Sequence, residues 1–168
     1  MKLFLIGFMG SGKTHWGNLL ALKLSLPFFD LDKVISEKEQ KSIPEIFAEK
    51  GEEYFRVVEK DCLEEIVENN NEFIISCGGG TPCFFNNIQF MKKKGTVVWL
   101  NTRVDVLVDR LLRNKDSRPL VKDLAASELK TYILKKILSR KIYYEQAQIT
   151  VHEENLSVDS FAEIILNA

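Results

Sequence analysis

The sequence is poor in cysteine, and its cysteines do not follow a spacing that builds a disulfide framework or a metal site. Cys62, Cys77 and Cys83 are the only three among 168 residues, an odd count without a Cys-x-x-Cys pair. The two histidines, His15 and His152, also lie outside any metal-ligand pattern. These absences argue against a small disulfide-held secreted domain and favour a protein of a reducing compartment.

Long hydrophobic runs are missing as well. Residues 3–6 form an apolar run that resembles the start of a signal sequence, but Gly7 interrupts it far short of the roughly 18 residues that a membrane span needs. No small-x-small cleavage site follows before Lys13. We therefore expect a soluble, cytoplasmic protein without a membrane partner.

A dominant charge of one sign is also absent. The chain has 23 Lys and Arg against 24 Asp and Glu, for a net charge of -1, and its only basic run is Lys92–Lys94. This balance argues against a polyanion binder, so we expect no nucleic-acid partner. With 45% apolar residues, 168 residues can bury one sizeable core, which predicts a single domain over residues 1–168.

What the sequence does contain is a regular alternation of short apolar runs and helix-period stretches. Strands are predicted at residues 3–6, 73–75, 96–100 and 148–152, and a short second strand begins at Phe28 and leads into Asp30 and Asp32. Helical periodicity follows the first, second and fourth strands, and a helical stretch also closes the chain. This pattern is typical of stacked βαβ units and predicts an α/β fold with a parallel sheet.

Two segments depart from the plain alternation. Residues 33–69 are almost entirely helical, with breaks at residues 42–44 and at Gly51, and we interpret them as a helical insertion above the sheet. Residues 114–123 are polar and contain Arg118 and Pro119. They are too long for an ordinary connection, which predicts a mobile loop.

The most specific motif is the segment Gly7–Thr14, which fits G-x-x-x-x-G-K-[ST] at every fixed position. It follows an apolar strand and opens an amphipathic helix, where glycines let successive backbone N–H groups surround a polyphosphate. Lys13 would reach the β- and γ-phosphates, and the Thr14 hydroxyl would face Mg²⁺. The alternative is a glycine-rich turn without a ligand.

Two carboxylates follow the second strand, in the part of an open α/β sheet where ligands bind. If the strand stays extended, Asp30 and Asp32 point to the same side of it. One could orient or deprotonate an attacking hydroxyl group, and the other could hold metal-bound water. Alternatively, either residue only caps the next helix.

A second glycine run and three arginines complete the candidate site. Residues Gly78–Gly80 either present bare backbone to a ligand or form a tight turn. Arg56 follows Glu52 by four residues, as in an ordinary exposed ion pair, or binds a ligand. Arg118 is either a soluble loop charge or a group that contacts the transferring phosphoryl group. Arg140 lies on an otherwise apolar helix face, and this predicts a buried guanidinium paired with an internal or a substrate carboxylate.

Together these residues resemble the shikimate kinase family, a group of small P-loop kinases related in fold to nucleoside monophosphate kinases. The resemblance covers nearly the whole chain, and its combination of motifs is far more specific than the phosphate loop alone. It rests on Gly7–Thr14, Phe29–Asp32, Ile46–Phe47, Gly51–Glu52, Phe55–Arg56, Gly78–Gly80, Arg118–Leu120 and Arg140 before Tyr143.

The resemblance implies a three-layer fold and a specific reaction. The expected sheet has five parallel strands in the order 2-3-1-4-5 with helices on both faces, a helical substrate-binding insertion at about residues 33–62 and a mobile lid at about residues 114–124. The expected enzyme, a monomer, transfers the γ-phosphoryl group of ATP to the 3-hydroxyl of shikimate, with Mg²⁺ as cofactor. The products are ADP and shikimate 3-phosphate, an intermediate of aromatic amino-acid (chorismate) biosynthesis.

The resemblance also implies a role for each site residue. The catalytic residues are Lys13, Asp32 and Arg118. ATP is bound by Gly10, Ser11, Gly12, Lys13, Thr14, His15, Arg110 and Arg118, with Arg110 stacking on the adenine. Shikimate is bound by Asp32, Arg56, Gly78, Gly79, Gly80 and Arg140, the arginines holding its carboxylate. Mg²⁺ is held by Thr14 and, through water, by Asp30.

Two departures and two rival functions stay open at this point. The pair Thr14-His15 stands where the family more often has Ser-Thr, and Ala147-Gln148 where it often has Ala-Asp. The rival functions are a P-loop kinase for gluconate or a nucleoside monophosphate, and a nucleotide-binding module without catalysis. The carboxylate site around Arg56, Gly79 and Arg140 argues against the first. Retention of Lys13, Thr14, Asp32, Arg118 and Arg140 argues against the second.

Overall fold

The computed structural model describes residues 1–113 and 125–167. Five strands lie at β1 Lys2–Ile6, β2 Phe28–Asp30, β3 Phe73–Ser76, β4 Thr96–Leu100 and β5 Ile149–Val151. The described helices are α1 Lys13–Leu24, α2 Leu31–Glu39, α3 Ile43–Asn69, α4 Asn87–Lys94, α5 Val104–Arg113, α6 Ala126–Tyr144 and α7 Val158–Leu166, with a short 3₁₀ turn at Thr81–Cys83. The predicted lid, with Arg118, lies outside the described residues.

The five strands form one parallel sheet in the order β2-β3-β1-β4-β5, which confirms the expected fold. β1 lies at the centre, paired with β3 on one side and β4 on the other. Because all strands run the same way, the phosphate loop after β1, the carboxylates around the end of β2 and the glycine run after β3 meet at one edge of the sheet.

Alternate residues of the central strands face two separate cores. Phe4 and Ile6 pack with helices α2, α3 and α4 on one face, whereas Leu3 and Leu5 pack with α1 and α7 on the other. This period of two is the geometry of a strand buried on both sides. A third cluster joins Phe8 of the phosphate loop to α5 and α6, so the loop rests on a packed base.

The helical insertion has the breaks that the sequence predicts. Ser42 caps α3 in a reciprocal arrangement with Glu45, and a proline stands in the first turn. At Gly51, with φ of 81°, two helical pieces meet at a kink. This kink separates the short first piece from the long second piece that carries Arg56 and Glu59.

Three elements differ from the sequence prediction. Helix α4 and the turn Thr81–Cys83 were not predicted, because α4 is short and ends in three lysines that hide its apolar face. Strand β5 covers three residues rather than the five predicted. At Gln148 the side-chain oxygen, and not the backbone, accepts the N–H of Val97 in β4. No helix within the described ranges is long and apolar enough to span a bilayer.

Candidate active site

The phosphate loop of residues 7–14 forms a tight curl between β1 and α1. Gly10 and Gly12 have φ of 83° and 85°, a left-handed conformation that other residues rarely adopt. The Lys13 ammonium donates to the carbonyl oxygens of Gly7 and Phe8, both at 2.9 Å, and so holds the loop closed over its own side chain. The start of α1 therefore points its backbone N–H groups and a lysine toward the sheet edge, a geometry suited to phosphate.

Thr14 and Asp30 lie together at this edge. The Thr14 hydroxyl donates to Asp30 Oδ2 at 2.6 Å and lies 3.3 Å from the Ser76 hydroxyl. Asp30 also caps α2, because its other oxygen accepts the backbone N–H of Lys33 at 3.4 Å. The helix-capping alternative is thus correct for Asp30, but the residue contacts the phosphate loop as well. Neutral and anionic oxygens in contact form the kind of site that hard cations prefer.

Asp32 reaches the cleft by a different route from the one predicted. The strand ends at Asp30, and Asp32 stands in the first turn of α2, so strand alternation does not align the two carboxylates. Both nevertheless line the same cleft. The Asp32 side chain is exposed to the solvent of the cleft, but the surrounding protein still desolvates it in part. This partial desolvation, with the negative charges of Asp30 and Glu59, raises the pKa of Asp32 to about 6, against the opposing effect of Lys13 and Arg56.

Arg56 does not form the exposed ion pair that its spacing from Glu52 suggests. The pair exists, with the Arg56 terminal nitrogen 3.1 Å from Glu52 Oε1, but Arg56 is only 7% exposed. The other terminal nitrogen donates to Glu59 Oε2 at 2.8 Å, and Glu59 is completely buried. A buried guanidinium held between two carboxylates is fixed in place, which is what bidentate recognition of an anion requires.

The glycine run Gly78–Gly80 combines both alternatives considered for it. It forms a tight turn, since the Thr81 N–H donates to the Gly78 carbonyl at 3.1 Å. It also makes room for the arginines. A Cβ atom on Gly80 would lie 2.6 Å from an Arg56 nitrogen, and one on Gly79 would lie 3.2 Å from an Arg140 nitrogen. The absence of side chains thus lets both guanidinium groups lie against this turn.

Arg140 lies on the helix face that the periodicity predicts, between Ile137 and the buried Tyr144. It is half-buried rather than buried, and its guanidinium lies 5.7 Å from the centre of the Phe8 ring. Tyr144 donates its hydroxyl to the Gly79 carbonyl at 2.6 Å, which ties α6 to the glycine turn. Within the part of the chain that the structure describes, no carboxylate forms an ion pair with Arg140. The internal partner considered for Arg140 is therefore not found there, and a ligand carboxylate could take that role.

These groups surround one cleft of about 470 Å³. Its walls include the predicted residues Gly10, Gly12, Lys13, Thr14, His15, Asp30, Asp32, Gly78, Gly79 and Arg110. Arg56, Gly80 and Arg140 adjoin it at the glycine turn, while the buried Ser11 lies inside the loop. Arg118 lies outside the described residues. The cleft therefore extends from the start of α1, which we call the phosphate end, to the glycine turn, which we call the acceptor end.

Four contributors were not predicted from the sequence. Glu59 and Tyr144 hold the acceptor end, as described above. Ser76 contacts Thr14 from the end of β3. Glu153 accepts from Arg110 at 2.8 Å, while the other Arg110 terminal nitrogen donates to the Gly10 carbonyl at 3.0 Å. Two of them had a sequence signal, because Glu59 follows Arg56 by three residues and Tyr144 follows Arg140 by four, each pair on one helix.

Cys77 lies beside the glycine turn but is a packing residue. Its thiol is buried against Met91, and burial raises its pKa well above the ordinary range for cysteine. Among the described residues, no group of three or more carboxylate, histidine or cysteine side chains could enclose a metal ion by itself. A divalent cation here would need ligands from a bound phosphate or from water as well.

Comparison with known proteins adds the family context. The sequence model of the family described as "Shikimate kinase" matches residues 9–168. The shikimate kinase of Azobacteroides pseudotrichonymphae is 40% identical over 165 residues, covering 98% of this chain and 97% of the relative. That of Parabacteroides distasonis is 41% identical over 167 residues, covering 99% and 96%.

Solved structures agree. Shikimate kinase from Bacteroides thetaiotaomicron superposes with a TM-score of 0.91 at 38% identity, covering 99% of this chain and 97% of that one. Shikimate kinase from Acinetobacter baumannii in complex with shikimate gives 0.87 at 32% identity, covering 99% and 90%. A gluconokinase from Sinorhizobium meliloti gives 0.55 at 16% identity, covering 99% and 89%, and shares the fold alone.

Proposed function

The chain belongs to the shikimate kinase family, and from that premise we propose that it transfers the γ-phosphoryl group of ATP to the 3-hydroxyl of shikimate. The products are ADP and shikimate 3-phosphate, and the reaction belongs to chorismate and aromatic amino-acid biosynthesis. One observation carries the proposal beyond family membership. A single cleft joins a phosphate loop to an acceptor end where Asp32, Arg56 and Arg140 surround a glycine turn.

The acceptor end suits a small molecule with one carboxylate and several hydroxyl groups. Arg56 and Arg140 bind the shikimate carboxylate, with the turn of Gly78–Gly80 as the floor beneath it. Two guanidinium groups against one turn supply the paired N–H donors that a carboxylate accepts. Asp32 binds the ring hydroxyls. Because its pKa is raised to about 6, the carboxylate is ionised at neutral pH and is a stronger base than an ordinary aspartate.

The donor end binds ATP. The loop residues Gly10, Ser11 and Gly12 surround the phosphates with backbone N–H groups, and Lys13 turns from the Gly7 and Phe8 carbonyls toward the β- and γ-phosphates. His15 lines the cleft beyond them, and Arg110, oriented by Gly10 and Glu153, stacks on the adenine. Arg118, which lies outside the described residues, contacts the transferring phosphoryl group and helps to exclude water.

The residues near Thr14 fit a magnesium ion. The Thr14 hydroxyl and the Asp30 carboxylate are hard oxygen ligands in contact at the cleft wall. Mg²⁺ keeps several waters when it binds a carboxylate and substrate phosphates. We propose that Thr14 holds the ion directly and Asp30 through water. When bound, the ion neutralises charge on the β- and γ-phosphates. We also propose a monomer that acts in the cytoplasm without a nucleic-acid or membrane partner.

The test is ADP release from the purified protein with MgATP, measured with shikimate, gluconate or AMP as acceptor. We expect release that depends on shikimate and is small with the other two. Asp32→Ala and Arg140→Ala should each lower kcat/KM for shikimate at least about 100-fold, because each removes a charged contact to the acceptor. Calorimetric titration should show MgATP affinity within about twofold of the unchanged protein.

Lys141→Ala is the matched control, since Lys141 follows Arg140 on α6 and is exposed. It should leave kcat/KM unchanged. A response to gluconate or AMP instead would move the protein to another kinase specificity, and ATP binding without turnover would indicate a non-catalytic module. If Arg140→Ala lost ATP affinity but kept its KM for shikimate, the assignment of Arg140 to the acceptor would be wrong.

A further inference from the structure

We propose that the turn of residues 81–84, which follows the glycine run, positions Arg56 for the carboxylate of the acceptor. In this arrangement Thr81 acts through Glu59 and Phe84 acts by stacking, so both are positioning residues rather than catalytic ones. The inference rests on the proposed function, and it adds residues that neither the motifs nor the reaction chemistry single out.

The first step is a buried relay of hydrogen bonds. The Thr81 hydroxyl donates to Glu59 Oε1 at 2.6 Å, and Glu59 Oε2 accepts from Arg56 at 2.8 Å. Thr81 and Glu59 are completely buried, so neither can exchange its partner for water. Asn87, also buried, donates its side-chain amide to the Thr81 carbonyl at 3.0 Å and so fixes the turn. Thr81 therefore sets the orientation of the Glu59 carboxylate.

The second step is what that orientation does to Arg56. A carboxylate with two available oxygens tends to pair with an arginine in a bidentate manner. Because Thr81 engages one Glu59 oxygen, Glu59 holds Arg56 through a single bond. Glu52 Oε1 accepts from Arg56 Nε at 3.2 Å and from one terminal nitrogen at 3.1 Å. Each terminal nitrogen of Arg56 therefore keeps one N–H that bonds no group in the described part of the chain. Those two groups are available to an incoming carboxylate.

The third step concerns the flat face of the guanidinium. Its central carbon lies 4.3 Å from the centre of the Phe84 ring and 5.0 Å from that of Phe55. An arginine over an aromatic face is held by cation–π attraction and by stacking. The Glu52 and Glu59 carboxylates hold the edges of the Arg56 guanidinium, and the Phe84 ring restricts its tilt. Since Gly80 lies directly beneath, the turn of residues 81–84 determines how Arg56 faces the cleft.

A purely structural role for Thr81 would predict a different outcome, and the two can be separated. Thr81→Val keeps the shape of the side chain but removes its hydroxyl, whereas Thr81→Ser keeps the hydroxyl. We expect Thr81→Val to raise KM for shikimate about 10-fold with KM for ATP within about twofold, because the relay acts on one end of the cleft only. Thr81→Ser should restore KM for shikimate to within about twofold of the unchanged protein.

Phe84→Leu and Thr102→Val complete the experiment. Phe84→Leu removes the stacked ring and should raise KM for shikimate about threefold, a measurement that stands even if Thr81→Val does not fold. Thr102→Val removes another buried hydroxyl, one that donates to the Ser11 carbonyl at 3.3 Å, and should leave KM for shikimate unchanged.

Lower thermal stability in Thr81→Val and Phe84→Leu with an unchanged KM for shikimate would overturn the inference, as would equal increases in the KM of both substrates. Failure of the unchanged protein to phosphorylate shikimate would instead overturn the proposed function. The two failures are therefore distinguishable in the same set of assays.

Discussion

The two ends of the cleft are built in different ways. The phosphate end comes from one continuous segment, residues 7–14, and its contacts are made largely by backbone groups and by Lys13 folded onto its own loop. The acceptor end comes from residues far apart in the chain, Asp32, Arg56, Glu59, Thr81 and Arg140, and its contacts are made by charged side chains.

This difference has a physical consequence. A site made of backbone is rigid as soon as its turn forms, because the glycine conformations determine where the N–H groups point. A site made of charged side chains needs further residues to hold each charge in place, and the buried Glu59 does this for Arg56. Changes at the phosphate end should therefore alter the reaction of bound ATP, whereas changes at the acceptor end should alter shikimate binding.

The largest effect that separates the two ends is expected from Lys13→Ala. The substitution removes the positive charge that we propose for the β- and γ-phosphates, so kcat should fall about 100- to 1000-fold. The dissociation constant of shikimate, measured by calorimetric titration, should change by less than about twofold, because burial, Asp30 and Glu59 affect Asp32 more strongly than Lys13 does.

Lys23→Ala serves as the control for Lys13→Ala, since Lys23 is an exposed lysine at the other end of α1 that pairs with Asp159. It should leave both quantities unchanged. Loss of shikimate binding in Lys13→Ala would show that the two ends of the cleft are not independent.

A smaller effect at the acceptor end is expected from alanine in the glycine turn. The new Cβ of Gly80→Ala would lie 2.6 Å from an Arg56 nitrogen and must displace the guanidinium, whereas that of Gly79→Ala would lie 3.2 Å from an Arg140 nitrogen. Gly80 has φ of -97°, so alanine meets no backbone strain there. Loss of a charge-assisted hydrogen bond costs about 1.5 to 3 kcal/mol, which predicts at least a 10-fold rise in KM for shikimate with Gly80→Ala.

The comparison between the two glycines is the sharper part of this experiment. Gly79→Ala needs a shift of only a few tenths of an ångström and should raise KM for shikimate about threefold at most. Steady-state kinetics with each substrate varied in turn gives both numbers. Equal effects of the two substitutions would mean that displacement of Arg56 is not what weakens acceptor binding.

The same contrast explains how much of the site could be predicted from the sequence. The phosphate loop was predicted residue by residue because all its determinants are adjacent in the chain. At the acceptor end, Asp32, Arg56 and Arg140 were predicted, but the reasons for their positions were partly wrong. Glu59 and Thr81, which help to hold Arg56, were not predicted. The position of Asp32 is set by the first turn of helix α2 and not by strand alternation, and Arg56 is buried rather than exposed.

The burial of Arg56 could not be predicted, because one of the contacts that hold its surroundings is distant in the chain. Local spacing showed Glu52 four residues from Arg56, but the burial of Arg56 depends on Glu59 and on Thr81, which lies 22 residues from Glu59. No periodicity reports a contact of that kind. The strand order also could not be predicted from a local pattern. It came from the family resemblance and not from the alternation of apolar runs. Helix periodicity succeeded for Arg140 because its neighbours on the apolar face belong to the same helix.

The smallest effect concerns stability, and it tests the electrostatic arrangement at the acceptor end without substrate. The pKa of Asp32 is about 6 against an ordinary value of 3.8, so the folded protein binds this proton more tightly than the unfolded chain. The stabilising contribution is complete below pH 3.8 and is lost as the pH rises through about 6. At pH 7.5 the charged Asp32 is therefore less favourable in the folded protein than in the unfolded chain.

Asp32→Asn should remove this unfavourable charge and abolish most activity. Because the side chain has solvent access, the gain is discounted to at most about 1 kcal/mol, or roughly 2 to 4 °C in Tm at pH 7.5. Loss of a negative charge from the first turn of α2 opposes the gain by about 0.3 to 1 kcal/mol, so the informative quantity is the pH dependence. The Tm of the variant minus that of the unchanged protein should be larger at pH 7.5 than at pH 4.5. If this Tm difference instead grew on acidification, the folded protein would stabilise Asp32 as a carboxylate. The charges of the acceptor end would then not lower the free energy of unfolding.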